Sequence, residues 1–448
     1  MRDTPETLTE RLLTAARRAG AEGADAMAVT GEAITIDVRA GTLEQAERAE
    51  GTDIGLRVLI GQRQASVSAS DTSDATITAL AERAVAMARE APEDPHIGLA
   101  PQDLLAQDWN VAALDLCEDA PEPDPASLQD AAQAAEAAAR NVAGVTQVQS
   151  ASAVYGRRQI HLATSGGFTG GYTTTDHGLS CVAIAGQGTG MERDHDGDGR
   201  IYRADLRPAE EIGQLAGERA VARLEARKPP TGAYPVLFDE RVARSLIGHL
   251  VAAANGASVA RGASWLRGKM GEQVLPVGMN IVEDPHRPRV MGSRPFDAEG
   301  LPTQRRALVE DGVLTGWILD LASAHKLGLR STANAKRGVG SPPSPGSWNI
   351  ALSQGDQSRD ELIRAMGTGL VVTSMIGSTI NPNTGDYSRG VSGFWVENGE
   401  ISHPINEGTI AGSLPDFLRR MTPANDARTH LSHVVPSLLV EGLTLAGA

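Results

Sequence analysis

The feature that most restricts the fold is a long alternation of apolar and polar residues between about residues 25 and 70. It is clearest at Ile34, Ile36 and Val38, which are separated by single polar residues. Alternation with a period of two places apolar side chains on one face of a strand. The glycines within the region mark turns, so the region predicts an antiparallel meander. Helical patterns at residues 5–19 and 74–90 flank it.

The next part of the chain follows a similar order of elements. Residues 91–125 are rich in Pro and Asp and predict an irregular connection. Helices are predicted at residues 126–142 and 208–227, and between them strands at residues 146–155, 158–164, 171–175 and 180–186. This order predicts an N-terminal α+β domain with an antiparallel sheet over residues 1–228, with two similar halves at residues 1–110 and 126–228.

The sequence Lys-Pro-Pro-Thr-Gly at residues 228–232 is the strongest boundary signal in the chain. After it, short apolar stretches are separated by Gly and Pro, which predicts a C-terminal, mostly β domain over residues 233–448. Strands are predicted at residues 279–283, 306–310, 316–321, 369–376, 393–397, 400–403 and 435–445. The fold class is therefore predicted to be α+β.

Charge and cysteine content exclude several classes of function. Acidic residues outnumber basic ones, 56 to 41, giving a formal charge of -15, which disfavours binding to nucleic acid or to an anionic membrane. Two cysteines, Cys117 and Cys181, cannot build a disulfide scaffold or a Cys-rich metal site. The chain lacks a run of 18 apolar residues and a signal-peptide pattern, so we predict a cytoplasmic protein without membrane contact.

One acidic segment resembles the first part of a calcium-binding loop. Asp194, Asp196 and Asp198 occupy positions 1, 3 and 5 of such a loop, with Gly199 following, but position 12 is Asp205 instead of Glu. The flanking residues predict strands, whereas an EF-hand needs helices. We therefore favour an acidic β-turn at residues 196–199 and keep calcium binding as the alternative.

The sequence contains no obvious catalytic centre. The Gly-x-Ser-x-Gly motif that carries the nucleophile of serine hydrolases is absent. Cys181 lies in an apolar run that suits a buried thiol. A helical zinc site needs two His on one helix face with a Glu beside them. His249 is the histidine in a helical pattern, and no second His follows four or five residues later. His430 and His433 are three apart in an extended pattern and would point to opposite faces. We predict no catalytic residue and no metal in this chain.

Several motifs in the C-terminal half are distinctive. Two lie at residues 235–239 (PVLFD) and 246–250 (LIGHL). The others are residues 319–329, 332–335, 385–400 and 407–412, of which GDYSRG at residues 385–390 is part of the most specific stretch. These motifs resemble those of the PmbA/TldE group of the TldD/PmbA metallopeptidase family, and the resemblance covers essentially the whole chain.

This resemblance implies a two-chain zinc protease in which a TldD-like subunit carries the zinc on a His-Glu-x-x-x-His helix. The two subunits enclose a cavity where small or unfolded peptides are cleaved. An alignment that keeps the flanking Leu-Ile places Gly248 and Ala253 at the histidine positions and His249 at the Glu position. The resemblance therefore implies that this chain is the subunit without zinc and shapes the cavity, with peptide binding at a sheet edge as the simplest mode.

Asp386, Tyr387, Ser388 and Arg389 are the residues we expect to contact substrate or line the cavity, together with His249. They form a polar run between glycines, which predicts a loop, and loops often carry binding residues. A structural turn with an Asp–Arg pair is the alternative. A homodimer is left open, as is a second function: a non-proteolytic regulatory protein linked to a gyrase or antitoxin system.

Overall fold

The computed structural model describes residues 3–447, without the side chains of residues 378 and 379. Its helices are α1 (Pro5–Ala19), α2 (Asp74–Glu90), α3 (Val111–Leu114), α4 (Pro125–Arg140), α5 (Ala209–Ala222), α6 (Glu240–Ala253), α7 (Gly256–Ala260), α8 (Leu321–Leu327), α9 (Arg359–Met366) and α10 (Leu414–Arg419).

The strands of the first half are β1 (Gly23–Arg39), β2 (Thr42–Ile60), β3 (Arg63–Ala69), β4 (Val145–Thr164), β5 (Thr169–Ala185) and β6 (Glu192–Arg200). Those of the second half are β7 (Gly232–Phe238), β8 (Ile281–Glu283), β9 (Arg306–Glu310), β10 (Val313–Leu314), β11 (Ala335–Lys336), β12 (Ser344–Pro345), β13 (Ile350–Leu352), β14 (Gly369–Ile380), β15 (Asp386–Glu397), β16 (Glu400–Ser413), β17 (Met421–Pro423), β18 (His433–Val434) and β19 (Leu438–Ala446). The predicted α+β class is confirmed.

Strands β1 to β6 form one antiparallel sheet in the order β3-β2-β1-β4-β5-β6, which we call the N-terminal sheet. The predicted meander at residues 25–70 is confirmed as β1–β3. Two predictions were wrong here: the strands at 146–155 and 158–164 are one strand, β4, and those at 171–175 and 180–186 are one strand, β5. The helix predicted at 208–227 ends at Ala222, because Glu225 adopts a left-handed conformation with φ 61°.

Helices cover one face of the N-terminal sheet. Even-numbered residues of β1 enter two apolar clusters, Ala24 to Ala28 beneath α1 and α2, and Ile34 to Val38 beneath α4 and α5. Because β1 pairs with β4 without a register shift, these residues share one face. The order helix, three strands, helix thus occurs twice around the central β1–β4 pair. The predicted domain boundaries stay predictions.

The second half is built on a six-stranded sheet in the order β16-β15-β14-β7-β19-β17, which we call the C-terminal sheet. An additional pairing of β16 with β19 closes five of these strands into a ring. Helix α6 packs against it through Leu246 and Leu250, both fully buried. The strand predicted at 316–321 is wrong: Asp320 caps α8, which begins at Leu321.

The loop that follows β11 joins the two halves. Arg337 reaches from this loop to Asp25 of β1, where its side chain is fully buried. A Cβ atom on Gly55 of β2 would lie 1.8 Å from the Val339 carbonyl oxygen, so only glycine permits this approach of the two backbones. Among the helices within residues 3–447, none has the length and apolar content needed to cross a bilayer.

Candidate functional site

Helix α6 carries His249 between the buried residues Leu246 and Leu250. The Asp239 side chain caps the helix by accepting the Arg241 backbone N–H at 3.2 Å. His249 is half-buried, and its Nε2 atom is buried with no hydrogen-bond partner among the described residues. Burial, with a smaller contribution from the Arg389 guanidinium, lowers the pKa of His249 to about 4. The imidazole is therefore neutral at neutral pH.

The polar run at residues 386–389 lies in strand β15, so the prediction of a loop was wrong. Tyr387 pairs with Ile380 of β14 and with Gly412 of β16. Two glycines had suggested a loop. Gly385 directly precedes β15, and Gly390 pairs with both neighbouring strands, so neither interrupts the strand. Strand geometry splits the four residues between two faces: Asp386 and Ser388 are exposed, whereas Tyr387 is buried and Arg389 half-buried.

Tyr387, Arg389 and His249 come together between β15 and α6. The rings of His249 and Tyr387 meet edge to face, with centroids 6.0 Å apart. Tyr387 donates a hydrogen bond to the Met375 sulfur at 3.3 Å, and burial raises the pKa of its hydroxyl to about 12. The Tyr387 hydroxyl therefore keeps its proton and acts as a packing and hydrogen-bonding group.

The other two predicted site residues lie apart from this group. Asp386 accepts a hydrogen bond from the Thr384 hydroxyl at 2.6 Å. The Asp–Arg pair considered as an alternative does not form, since within the described residues Arg389 has no carboxylate partner. The structure thus brings together His249, Tyr387 and Arg389, and separates Asp386 and Ser388 from them.

The α6 helix does not fit a zinc site. Gly248 and Ala253, at the positions expected for histidines, carry no ligand atom. Across residues 3–447, no three His, Cys, Asp or Glu side chains cluster closely enough to hold a metal ion. We therefore assign no metal chemistry to the residues around His249.

A groove of about 1300 Å³ runs between β6 at the edge of the N-terminal sheet, the first turns of α6, and strands β14–β16. One wall carries acidic residues of β6 and arginines of α5 and α6. The other wall is more apolar and includes Met375, Ile376 and Val391, with Ile376 77% exposed. This groove is adjacent to the His249 group, because Met375 both lines it and accepts the Tyr387 hydrogen bond.

The acidic segment at residues 194–198 is part of β6, so the predicted β-turn at residues 196–199 was wrong. Each carboxylate on this strand faces arginines. Asp196 contacts Arg207 and Arg219, each at 2.6 Å. Asp194 contacts Arg241 at 3.0 Å and Arg223 at 3.5 Å. An extended strand cannot wrap its carboxylates around one ion, and these carboxylates already have cationic partners, so the geometry of a calcium loop is absent.

Arginines also cover the outer edge of β6. Arg219 donates to the His195 carbonyl oxygen at 3.2 Å, and Arg207 donates to the Gly197 carbonyl oxygen at 3.0 Å. These carbonyls are the acceptors that an added strand would use. A peptide in the groove would therefore contact side chains at this edge instead of extending the sheet.

Sequence reasoning missed the groove and its arginines. Arg219 of α5 and Arg223, the residue that follows this helix, lie four residues apart, a spacing that places them on one side, and three aspartates alternate on β6. Matching the two patterns would have indicated a charged interface between the helix and a strand edge. Nothing in the sequence indicated that the C-terminal sheet supplies the opposite wall.

Family models match most of the chain. They are PmbA/TldA metallopeptidase domain 1 at residues 24–88, the central domain at residues 118–224 and the C-terminal domain at residues 231–447. The chain is 37% identical to the metalloprotease PmbA of Escherichia coli O157:H7 over 429 residues, which are 95% of this chain and 92% of that protein.

Two solved structures share the fold. TldE from Thermococcus kodakarensis superposes with a TM-score of 0.85 and 19% identity, over 98% of this chain and 100% of that one. A Bacteroides thetaiotaomicron protein, described as a candidate modulator of DNA gyrase, superposes with a TM-score of 0.90 and 24% identity, over 99% and 100% of the two chains.

Proposed function

Because the chain belongs to the PmbA/TldD metallopeptidase family, we propose that it is the non-catalytic subunit of a heterodimeric zinc protease. In this proposal a TldD-like partner carries the His-Glu-x-x-x-His helix and the zinc. The present chain contributes a wall of the cavity in which small or unfolded peptides are cleaved. With two free cysteines, the complex would operate in the reducing cytoplasm.

The observation that carries the proposal is the composition of α6. A helix in the position expected for zinc ligands presents Gly248, His249 and Ala253, and these cannot hold the metal between them. His249 is instead packed against Tyr387 as a neutral ring. A chain of this family that lacks zinc ligands can still contribute by binding substrate beside a subunit that holds the zinc.

The groove gives this subunit a surface suited to peptides. Its apolar wall can bury side chains, and its arginine-rich wall can attract acidic groups. The chain's own residues would bind and orient a peptide near the partner's metal, and this positioning lowers the entropic cost of the reaction.

The test is to purify this chain alone and with a TldD-like protein that carries the His-Glu-x-x-x-His motif. We expect no stoichiometric zinc and no peptide cleavage by the lone chain, and both in the co-purified complex. The matched control is His249→Ala in the complex, which should leave its zinc content unchanged because His249 is not a ligand. Stoichiometric zinc or cleavage in the lone chain would overturn the proposal.

The name of the Bacteroides structure supports a second candidate, a regulatory binding protein without a proteolytic role. The same purification distinguishes the two. Stable association with a protein other than a TldD-like subunit, without any gain of peptidase activity, would favour regulation.

A further inference from the structure

In the part of the chain that the structure describes, Arg389 lacks the carboxylate partner that several arginines lining the groove have. Arg223, Arg241 and Arg428 each contact a carboxylate, namely Glu192, Asp194 and Glu240 respectively. Within the described residues Arg389 has no such partner, and its Nε atom is buried without a hydrogen bond. A buried N–H group without an acceptor costs free energy that a ligand acceptor can recover.

The buried Nε2 atom of His249 also lacks a hydrogen-bond partner among the described residues. The two residues approach the same side chain, Tyr387, from α6 and from β15: the His249 ring meets the Tyr387 ring edge to face, and the Arg389 guanidinium is hydrogen-bonded to the Tyr387 hydroxyl. A neutral imidazole can donate one hydrogen bond, and a guanidinium can donate two in parallel to one carboxylate. Together they offer one positive charge and a set of donors for a singly charged planar anion.

Arg389 and His249 do not line the groove themselves but lie behind its apolar wall, next to residues that do line it. Gly390, the next residue after Arg389, lines the groove, and so does Met375, which contacts Tyr387. Val242 also lines it and lies two turns before His249 on the same face of α6. The exposed Ile376 stands on the same wall and offers apolar surface next to the charged group.

We propose that Arg389 and His249 form a carboxylate-binding subsite at the wall of the groove, with Met375 and Ile376 contacting the apolar residue that carries or precedes the carboxylate. The inference rests on the proposed peptide-binding function and specifies which part of a peptide is recognised. The carboxylate can come from the C-terminus of a peptide or from an Asp or Glu side chain, and the chemistry at Arg389 is the same for both.

The test uses the full-length chain and three fluorescently labelled decapeptides of otherwise equal sequence. The first ends in Leu with a free carboxylate, the second is amidated at its C-terminus, and the third is amidated but contains one internal Glu. Binding is followed by fluorescence anisotropy. We expect the free acid to bind about tenfold more tightly than the amide. A gain for the third peptide would assign the subsite to acidic side chains as well.

Variants separate this subsite from general charge attraction. Arg389→Gln should remove the preference for the free acid, and Arg389→Lys should restore part of it. Arg244→Gln removes the same charge from an exposed arginine that lines the groove and should preserve the preference. Equal binding of all three peptides by the wild-type chain, which needs no variant to fold, overturns the inference and leaves the proposed function standing. Binding of none of them counts against the proposed function itself.

Discussion

Asp25 of β1 and Arg337 of the loop after β11 form a buried ion pair between the two halves of the chain, although 312 positions separate them. Arg57 of β2 contacts the same carboxylate, with its Nε 2.6 Å from Oδ2. The two guanidinium groups hold the pKa of Asp25 below its usual value despite complete burial. One carboxylate is therefore shared by two buried cations.

Removing that carboxylate should be strongly destabilising. Asp25→Ala leaves Arg57 and Arg337 buried without a counter-charge, and we expect a loss of about 3–5 kcal/mol in the free energy of unfolding. Urea unfolding at neutral pH measures it. The control is Asp416→Ala, which breaks an exposed pair with Arg419 and should cost less than about 1 kcal/mol. Equal shifts for the two variants would contradict the buried pair.

Two buried carboxyl groups predict that stability falls as pH rises. Burial raises the pKa of Asp297 to about 7, and burial with the nearby Asp297 and Asp320 raises that of Glu299 well above its usual value. Such groups bind a proton more tightly in the folded than in the unfolded chain. Their stabilising effect is therefore complete below the ordinary carboxyl pKa near 4 and is lost as pH rises through the folded value.

Glu299→Gln should flatten this pH dependence. The glutamine can still accept the Leu321 backbone N–H, a bond that is 2.9 Å long with Glu299, and it has no charge to bury. We expect the variant to gain stability over the wild type between about pH 5 and pH 8. Urea unfolding across that range tests this expectation. The control is Glu82→Gln, which changes a carboxylate on the exposed face of α2. A pH profile parallel to that of the wild type would refute the raised pKa.

Two helical glycines should respond oppositely to the same substitution. A Cβ atom on Gly213 of α5 would lie 1.9 Å from the Ala135 carbonyl oxygen of α4, so Gly213→Ala should cost about 1–3 kcal/mol by forcing the helices apart. Apart from its own helix backbone and its two chain neighbours, no heavy atom of the described residues lies within 4 Å of the corresponding position on Gly248, so Gly248→Ala should stabilise α6 by about 0.5–1 kcal/mol. Thermal unfolding of both variants measures the signs, and shifts in the same direction would count against the packing described.

Calcium should not bind to residues 194–205. The three aspartates alternate along β6 and face arginines, as with Asp196 between Arg207 and Arg219. Calorimetric titration with millimolar calcium should give only dilution heat, with an EF-hand protein as positive control. A saturable signal near one ion per chain would contradict the interpretation of the strand.

The sequence was sufficient to predict elements whose ends are marked by residues next to them in the chain. Helix α1 spans the predicted residues 5–19, where Thr4 was the expected cap. In the structure Thr4 caps the helix and Gly20 ends it with a left-handed φ of 97°. The long strand β4 was predicted in two pieces because of Gly156. In the fold that glycine faces Asp176 of β5, where a Cβ atom would lie 2.7 Å from the carboxylate oxygen. Only the neighbouring strand explains why a glycine belongs there.

In the candidate site, too, residue types were visible in the sequence, whereas their spatial arrangement depends on distant strands. The sequence directed attention to His249 and residues 386–389, but which of them lie together depends on the register of β15 against β14 and β16. That register places Tyr387 and Arg389 towards α6 and leaves Asp386 and Ser388 exposed. A period-two pattern read without its partner strands cannot say which face meets a helix that precedes it by more than a hundred residues.

The closure of the C-terminal ring by β19 has a consequence for synthesis. Strands β7 and β16 both pair with β19, the last strand within the described residues. While the polypeptide is being made, these two strands present open edges until β19 has left the ribosome, and open edges are sites of aggregation. The N-terminal sheet already has all its strands by then. We therefore expect the nascent chain to depend on chaperones most strongly just before β19 emerges.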